Sequence, residues 1–449
     1  MESLEELPRL LSAYPQLSFV EPFLRAHKMA SLFLVGGALR DLLLRRSVVD
    51  FDFVIQHLTL PEIESWFKKH GQIDLVGKSF GVLKFVPSGF DPHRTCAIDL
   101  ALPRTEKSLA TSNGGYKDFT VQSDPNLPIE QDLARRDFTV NAMAYDIRLK
   151  TLIDPFHGTS DLENKIIRAV GNPSDRFYED FTRILRGLRF ASELHFSIDW
   201  ETLDAIMHYA PSLVKTKEID GLTVPVVARE LVGEELIKGI RSDAVHLIRL
   251  LEETRALSIL FPTVEEHLAK DSTYLAPIFA LKPHQSELAI ILLLRDETEQ
   301  EIQQTFERTG LQTIPTKWRT HADQDEVVWI VKKLQESIRA EDIQFMRASQ
   351  FEKWFMGRRG MLLTDALSLL QKTDVVSLIQ KRKAEICARW VCEDTEPIPP
   401  LLTGEDILAS GVPSGPRVRD ILELIRDQQL DGKLLTREAA LTWLKAQPI

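Results

Sequence analysis

The chain has 449 residues, enough for roughly two to four domains with well-buried cores. Its 44% hydrophobic and 27% charged composition excludes a wholly disordered or collagen-like chain. With 55 Lys and Arg against 66 Asp and Glu, the net charge is −11, which argues against a nucleic-acid partner on average charge alone; a local basic face overrides such an average.

The start, MESLEELPRLLSAYP, is acidic and lacks a basic region followed by an apolar run, so it is not read as a signal peptide. No stretch approaches the ~18 to 20 apolar residues that span a bilayer. Three cysteines, Cys96, Cys387 and Cys392, make neither a disulfide framework nor a four-cysteine zinc site, and they read as free thiols of a reducing compartment. The expected location is the cytoplasm, with no membrane and no disulfide-linked partner.

Short β-rich runs open the chain: SLFLV (31–35), DFDFVI (50–55), GVLKFV (81–86) and TCAIDLAL (95–102). From about residue 160 the pattern turns helical, as in DFTRILRGLRFASEL (180–194), ELVGEELIKGI (230–240) and AVHLIRLLEET (244–254). Strands followed by helices predict an α+β head and a helical remainder. EPIPPLL (396–402) reads as a linker before a terminal helical segment.

The segment LVGGALRDLLLRRSVVDFDFVI (34–55) carries the most chemistry. A strand ends at Gly36 and Gly37, and a helix follows. Glycines let the backbone approach a ligand, and a helix N-terminus offers free N–H groups, a combination that suits phosphate. Arg40, in the first turn, can add a forked donor to phosphate oxygens. Strand alternation then puts Asp50 and Asp52 on one face and Phe51 and Phe53 on the other. Two like charges on one face call for a hard divalent cation, and Mg²⁺ would also bridge triphosphate oxygens and lower the pKa of an attacking hydroxyl. Asp99, in CAIDLAL, is a candidate third carboxylate. The alternative for Asp-Phe-Asp taken alone is an ordinary solvated strand face.

GG-A-L-R-D followed by D-F-D resembles the nucleotidyltransferase motif of the class II tRNA nucleotidyltransferase and bacterial poly(A) polymerase family. LARRDFTVNAMAYD (133–146) resembles the same family's R-R-D-F-T-x-N-A-M-A motif, which implies a phosphate contact from Arg135 or Arg136 and a pocket shaped by Asp137 and Asn141. DPFHGTSDL (154–162) is similar to its head-to-neck connection, with turn chemistry at Asp154, Pro155 and Gly158.

EDFTRILRGLRF (179–190) puts Phe181, Ile184, Leu185 and Leu188 on one helix face and Arg183, Arg186 and Arg189 on the other, with Asp180 beside Arg183. It resembles the family's E-D-x-x-R motif. The resemblance implies that Asp180 accepts from the exocyclic amine of cytosine or adenine while Arg183 donates to the adjacent ring nitrogen. Guanine and uracil present the reverse order and leave polar groups unpaired. Arg186 and Arg189 then hold phosphate or the base stack.

A weaker fifth motif, VARELVGEELIKGI (227–240), keeps Glu235, Leu236 and Lys238 but has Leu231 where the family pattern leads one to expect an arginine. Ser79 stands where poly(A) polymerases carry a second basic residue, which favours a tRNA-end enzyme. PRTEKSLATSNGGYKDF (103–119) matches a loop that the family implicates in switching from C to A. No His-Asp dyad occurs, so the phosphohydrolase activity of some relatives is not expected.

The resemblance implies a palm-like nucleotidyltransferase head over 1–150, a base-recognising neck over 151–225, a helical body over 226–330 and a tRNA-binding tail over 331–449. It implies template-independent CCA addition to tRNA from CTP and ATP, with Mg²⁺ on Asp50 and Asp52. A-only addition, CC-only addition, a poly(A) polymerase and a catalytically silent RNA-binding protein are the alternatives. Twelve Lys and Arg against seven Asp and Glu over 331–390, with Trp354 and Phe355 interleaved, mark a candidate backbone-tracking surface.

Overall fold

The computed structural model describes residues 2–76, 82–91, 95, 97–108, 119–219, 221–311, 323–390 and 398–447. It forms two compact units, Met1–Leu260 with Arg308–Gly310, and Phe261–Glu307 with Leu311–Ile449. Ser79, Cys96, Cys392 and residues 109–118 of the Ser/Thr/Gly-rich segment lie outside the described residues.

The first unit opens with helices α1 (Glu2–Ser12) and α2 (Val20–Ala26), then β1 (Ser31–Val35), α3 (Gly36–Leu43) and β2 (Asp52–Gln56). There follow α4 (Leu60–Phe67), β3 (Gly71–Val76), β4 (Val82–Pro87), β5 (Ile98–Ala101) and the strand pair β6 (Arg104–Ser108) and β7 (Phe119–Ser123). Next come α5 (Ile129–Ala134), β8 (Ala144–Asp146), β9 (Thr151–Ile153), α6 (Gly158–Asn164), α7 (Pro173–Glu179), α8 (Thr182–Leu194), α9 (Trp200–Tyr209) and α10 (Arg229–Glu253).

One seven-stranded sheet has the order β3-β4-β5-β2-β1-β8-β9. It is antiparallel except where β2 and β5 run parallel, with Asp52 opposite Asp99. Alternation does the sorting that a half-polar strand requires. Phe53 on β2 and Phe85 on β4 meet Phe19 edge-on at 6.0 and 5.3 Å, and Phe67 of α4 completes that aromatic layer. Asp52, Asp99 and Lys84 are left to line a cavity that the same sheet also lines through Val35 and Val54.

The expected helices 230–240 and 244–254 are one element, α10, bent at Asp243 where φ is −155° and ψ is 96°. The amphipathic run of 133–146 is not a helix: after α5 it passes through a 3₁₀ turn, Thr139–Asn141, into β8. Every residue from 137 to 146 is buried, Phe138, Val140 and Met143 among them, because the segment threads the core.

The second unit is helical from Pro262–Lys270 to Arg437–Lys445 among its described residues. Its terminal helices close over Leu402, Ile407, Val412, Ile425, Leu434, Ala440 and Leu444. The basic stretch 331–390 carries many ion pairs. Lys332 pairs with Glu299 at 2.6 Å, Arg347 with Asp427 at 2.6 Å, Lys353 with Glu423 at 2.7 Å and Arg358 with Glu287 at 2.6 Å. Arg382 donates to the carbonyls of Ile343 and Met346. These side chains therefore meet acids and carbonyls brought in by folding. No helix among the described residues is long and apolar enough to cross a membrane.

Candidate active site

A cavity of about 880 Å³ in the first unit gathers most of the residues singled out above. Its lining includes Gly36, Gly37 and Arg40 of α3, Asp52 of β2, Lys84 of β4 and Asp99 of β5, then Arg135, Arg136, Asp137 and Asn141. Asp180, Arg183 and Arg186 line it from α8 and the residues before it, and Leu231, Glu234, Glu235 and Lys238 from α10.

The carboxylates come first. Register places Asp99 beside Asp52 and Lys84 beside Asp99, and Lys84 Nζ donates to Asp99 Oδ1 at 2.8 Å. Burial pushes the Asp52 carboxyl up to about 6; Asp99 and Asp50 add to the rise, while Arg136 and Lys84 oppose it. Asp50 precedes β2 rather than sitting within it, is exposed, and is not among the cavity's lining residues. The strand starts two residues later than expected because its ladder to β1 ends at Val35 and Asp52.

Gly36 has φ of +69°, the left-handed region, at the turn from β1 into α3. A Cβ there would stand 3.1 Å from Arg136 Nη1 and 3.3 Å from Asp52 Oδ2. The second glycine is less confined, since a Cβ on Gly37 would meet Arg40 Nη2 at 3.7 Å, an ordinary contact. Gly36→Ala should therefore lower the melting temperature by a few degrees and activity by tenfold or more, since it strains the turn and displaces Arg136 or Asp52 by tenths of an ångström. Gly37→Ala should do neither; thermal melts and steady-state rates of both variants check this.

Arg40 differs from its expected role. It is buried, its Nε and Nη2 donate to Asp41 at 2.9 and 3.0 Å, and its Nη1 donates to Asn141 Oδ1 at 3.0 Å. Its fork is already occupied by a carboxylate, so it braces α3 against Asn141 at the cavity edge. Asn141 Nδ2 in turn reaches Asp137 Oδ1 at 3.4 Å.

Asp137 accepts from Arg186 Nε at 2.8 Å and Nη2 at 2.6 Å. Burial alone would raise its pKa, but Arg186, Arg183 and the backbone N–H of Phe138 together outweigh burial and hold the carboxyl at about 2. The same partnership raises the pKa of Arg186. Arg189 donates to Glu235 at 2.6 Å and Glu193 at 2.9 Å, and is not among the cavity's lining residues. Phe190 carries three guanidinium groups over its ring, Arg189 at 4.1 Å, Arg40 at 5.2 Å and Arg186 at 5.3 Å. Arg186 and Arg189 each pair with a buried acid, Asp137 and Glu235, since the second face of α8 packs on α10 and meets Asp137; Arg186 still lines the cavity, and Arg189 does not.

Asp180 and Arg183 are both buried at the cavity. Asp180 Oδ1 accepts from the backbone N–H of Thr182 at 2.9 Å and from its hydroxyl at 2.6 Å. Arg183 Nη1 donates to Glu179 at 2.8 Å and to the Arg176 carbonyl at 3.1 Å, and Nη2 donates to the Arg135 carbonyl at 3.2 Å. They do not pair with each other. Each is anchored by other groups, which leaves the second Asp180 oxygen, Arg183 Nε and one Nη2 hydrogen for a bound base.

Sequence reasoning missed Lys84, Asp132, Phe190 and the packing role of Glu235. Asp132 had a signal, since it stands three and four residues before the arginine pair on a helical segment. Lys84 had none without the register that sets it against Asp99.

Residues 32–168 match the family of the poly A polymerase head domain. The "Multifunctional CCA protein" of Haemophilus ducreyi is 34% identical over 239 residues, covering 52% of this chain and 51% of that protein. The protein of the same name from Variovorax paradoxus is 38% identical over 246 residues, covering 52% of each. The chain thus spans about half the length of the curated relatives it matches. Among solved structures, the Bacillus stearothermophilus CCA-adding enzyme in complex with CTP aligns with a TM-score of 0.59 at 23% identity, over 96% of this chain and 97% of that one. The Thermotoga maritima CCA-adding enzyme complexed with tRNA aligns with a TM-score of 0.61 at 21% identity, over 99% and 97%. At these identities the likeness is one of fold, and it runs through the sheet-bearing head and the helical remainder alike. Residues 32–168 thus carry a head of the poly A polymerase head domain type, in the same segment as the motifs at 34–55 and 133–146.

Proposed function

We propose that the chain is a cytoplasmic, template-independent tRNA nucleotidyltransferase that adds C and A to the tRNA 3′ end from CTP and ATP and releases pyrophosphate. One observation carries the reading. The Asp52–Asp99 carboxylates, the Arg136 cation and the buried Asp180 and Arg183 line a single cavity, so a phosphate-transfer centre and a base-reading pair share one wall-to-wall space. The names of the relatives and the CTP, ATP and tRNA of the solved neighbours support it.

The family implies a divalent cation, and the residues present fit one. Among the described residues no group of three or more His, Cys, Asp and Glu gathers at metal spacing. Two carboxylates suffice, however, where substrate phosphates and water complete the shell. The Asp52 carboxyl, pushed up to about 6 by burial and by its acidic neighbours, is the under-neutralised group that a cation relieves. Asp52 would hold Mg²⁺ from within the cavity with Asp99 alongside, and Asp50, which acts on Asp52 from just before β2, would join them. When bound, the ion neutralises charge on the triphosphate and lowers the pKa of the attacking hydroxyl.

The chain's own residues do the rest by positioning. Arg136 and the first turn of α3 receive the triphosphate, with Gly36 giving the room. Asp180 and Arg183 hold the base by its donor–acceptor edge. Lys84 ties down Asp99 and keeps its oxygen from turning.

The test offers tRNA ending at the discriminator base with Mg²⁺ and each nucleotide alone or in combination. Product length at single-nucleotide resolution should show CCA only when CTP and ATP are both present. Unlimited ATP incorporation on arbitrary RNA would replace the reading with poly(A) synthesis, and stops after CC or after A alone would narrow it. No incorporation at all would sink it.

A further inference from the structure

The two adjacent arginines are not equivalent, and the difference lies in Asp132. This side chain is wholly buried in α5. Its Oδ1 accepts from Arg135 Nε at 3.1 Å, from Arg135 Nη2 at 2.9 Å and from the backbone N–H of Arg104 at 3.2 Å. Its Oδ2 accepts from Arg136 Nη2 at 3.2 Å. One carboxylate therefore serves two guanidinium groups, which keeps the buried acid satisfied and leaves an excess positive charge at the cavity wall.

The two arginines are held differently. Arg135 meets the carboxylate with two donors, and its backbone carbonyl accepts from Arg183 Nη2 at 3.2 Å. Arg136 gives Asp132 one donor. Its Nη1 reaches the opening turn of α3, 3.1 Å from where a Cβ on Gly36 would stand, and Asp52 Oδ2 lies 3.3 Å from the same point. Its Nε is buried without a hydrogen-bond partner among the described residues. A buried guanidinium N–H with nothing to donate to is costly unless something arrives to accept from it. Next to it are the glycine turn and the free N–H groups of a helix start, and what fits there is an anion.

We infer that Asp132 is a positioning residue for the nucleotide triphosphate: by taking Arg135 side-on and Arg136 end-on, it aims Arg136 at the phosphates. Through the Arg135 carbonyl the same placement is tied to Arg183, so the phosphate grip and the base reader share one anchor. The inference rests on the proposed nucleotidyltransferase activity and adds which arginine grips and what aims it.

Binding of CTP, inorganic tripolyphosphate and cytidine is measured calorimetrically in EDTA, with kcat and KM for CTP measured separately in Mg²⁺. Asp132→Asn and Arg136→Gln should each weaken CTP and tripolyphosphate by about tenfold or more, leave cytidine within about twofold, and raise KM more than they lower kcat. In the double variant the two losses should not add, because Asp132 acts through Arg136. Should Asp132→Asn not fold, the two arginines still decide: Arg136→Gln must cost tripolyphosphate affinity at least about fivefold more than Arg135→Gln. Additive losses, an equal loss of cytidine, or equal sensitivity of the two arginines overturns the inference. A wild-type protein that binds neither CTP nor tripolyphosphate overturns the nucleotide reading itself, and this inference with it.

Discussion

Asp52→Asn should lower incorporation of both C and A by about 10³-fold or more, while tRNA binding holds and the melting temperature stays level or rises. The size follows from charge: losing a centre that stabilises a phosphoryl-transfer transition state costs about 4 kcal/mol, which is about 10³ in rate. The unusual half of the expectation concerns stability. Burial, Asp99 and Asp50 all work against ionisation of Asp52, and only Arg136 and Lys84 favour it. An amide of the same shape removes that repulsion without opening a cavity. A carboxylate kept for a structural ion pair would do the reverse, losing stability together with activity. Rates at saturating CTP and ATP, filter binding of tRNA and thermal melts of the same preparation check the three parts. Turnover above about a tenth of wild type would sink the assignment of Asp52 to the reacting phosphate.

That assignment shows what a one-dimensional reading reaches. The run from β1 through α3 into β2 is local, so the glycine turn, the helix start and the two faces of β2 were all legible from alternation and turn chemistry. Asp99 was singled out as a third carboxylate, but its place opposite Asp52 was not legible, because it becomes a neighbour only through a parallel pairing of strands separated by α4, β3 and β4. The same limit governs α8. Its period correctly divided the arginines from the apolar side chains, but a period says which residues share a face and not what covers that face. Here α10 and the 135–141 segment cover it, and Arg189 finds Glu235 while Arg186 finds Asp137. Arg40 looked like a free phosphate fork although the carboxylate that occupies it, Asp41, is its neighbour in the chain; only the Nη1 acceptor, Asn141, lies 101 residues away. Sequence patterns thus located the cavity's residues well and their partners poorly, since partners are a product of tertiary pairing.

Base choice should collapse when either member of the Asp180 and Arg183 set is removed. Cytosine and adenine each offer an exocyclic amine donor next to a ring-nitrogen acceptor, whereas uracil and guanine offer a carbonyl next to a ring N–H. A buried carboxylate and guanidinium reject the second pattern because both sides would be left with unpaired polar groups, and sites of this kind discriminate by about 10⁴ or more. Such discrimination needs groups that cannot swing to suit the wrong base. The structure supplies that rigidity: Thr182 holds one Asp180 oxygen through both its N–H and its hydroxyl, and Glu179 with the carbonyls of Arg176 and Arg135 holds Arg183. Asp180→Ala and Arg183→Ala should therefore each cut the preference for CTP over UTP, and for ATP over GTP, by about 10²-fold or more, chiefly by losing the correct substrates. Thr182→Val, which removes the hydroxyl bond and keeps the backbone one, should relax the same ratios by a smaller factor, about tenfold, with little change in KM for the triphosphate as a class. The four kcat/KM values, measured on one tRNA acceptor for each variant, decide it. Ratios that stay at the wild-type value in both alanine variants would mean that another part of the cavity reads the base.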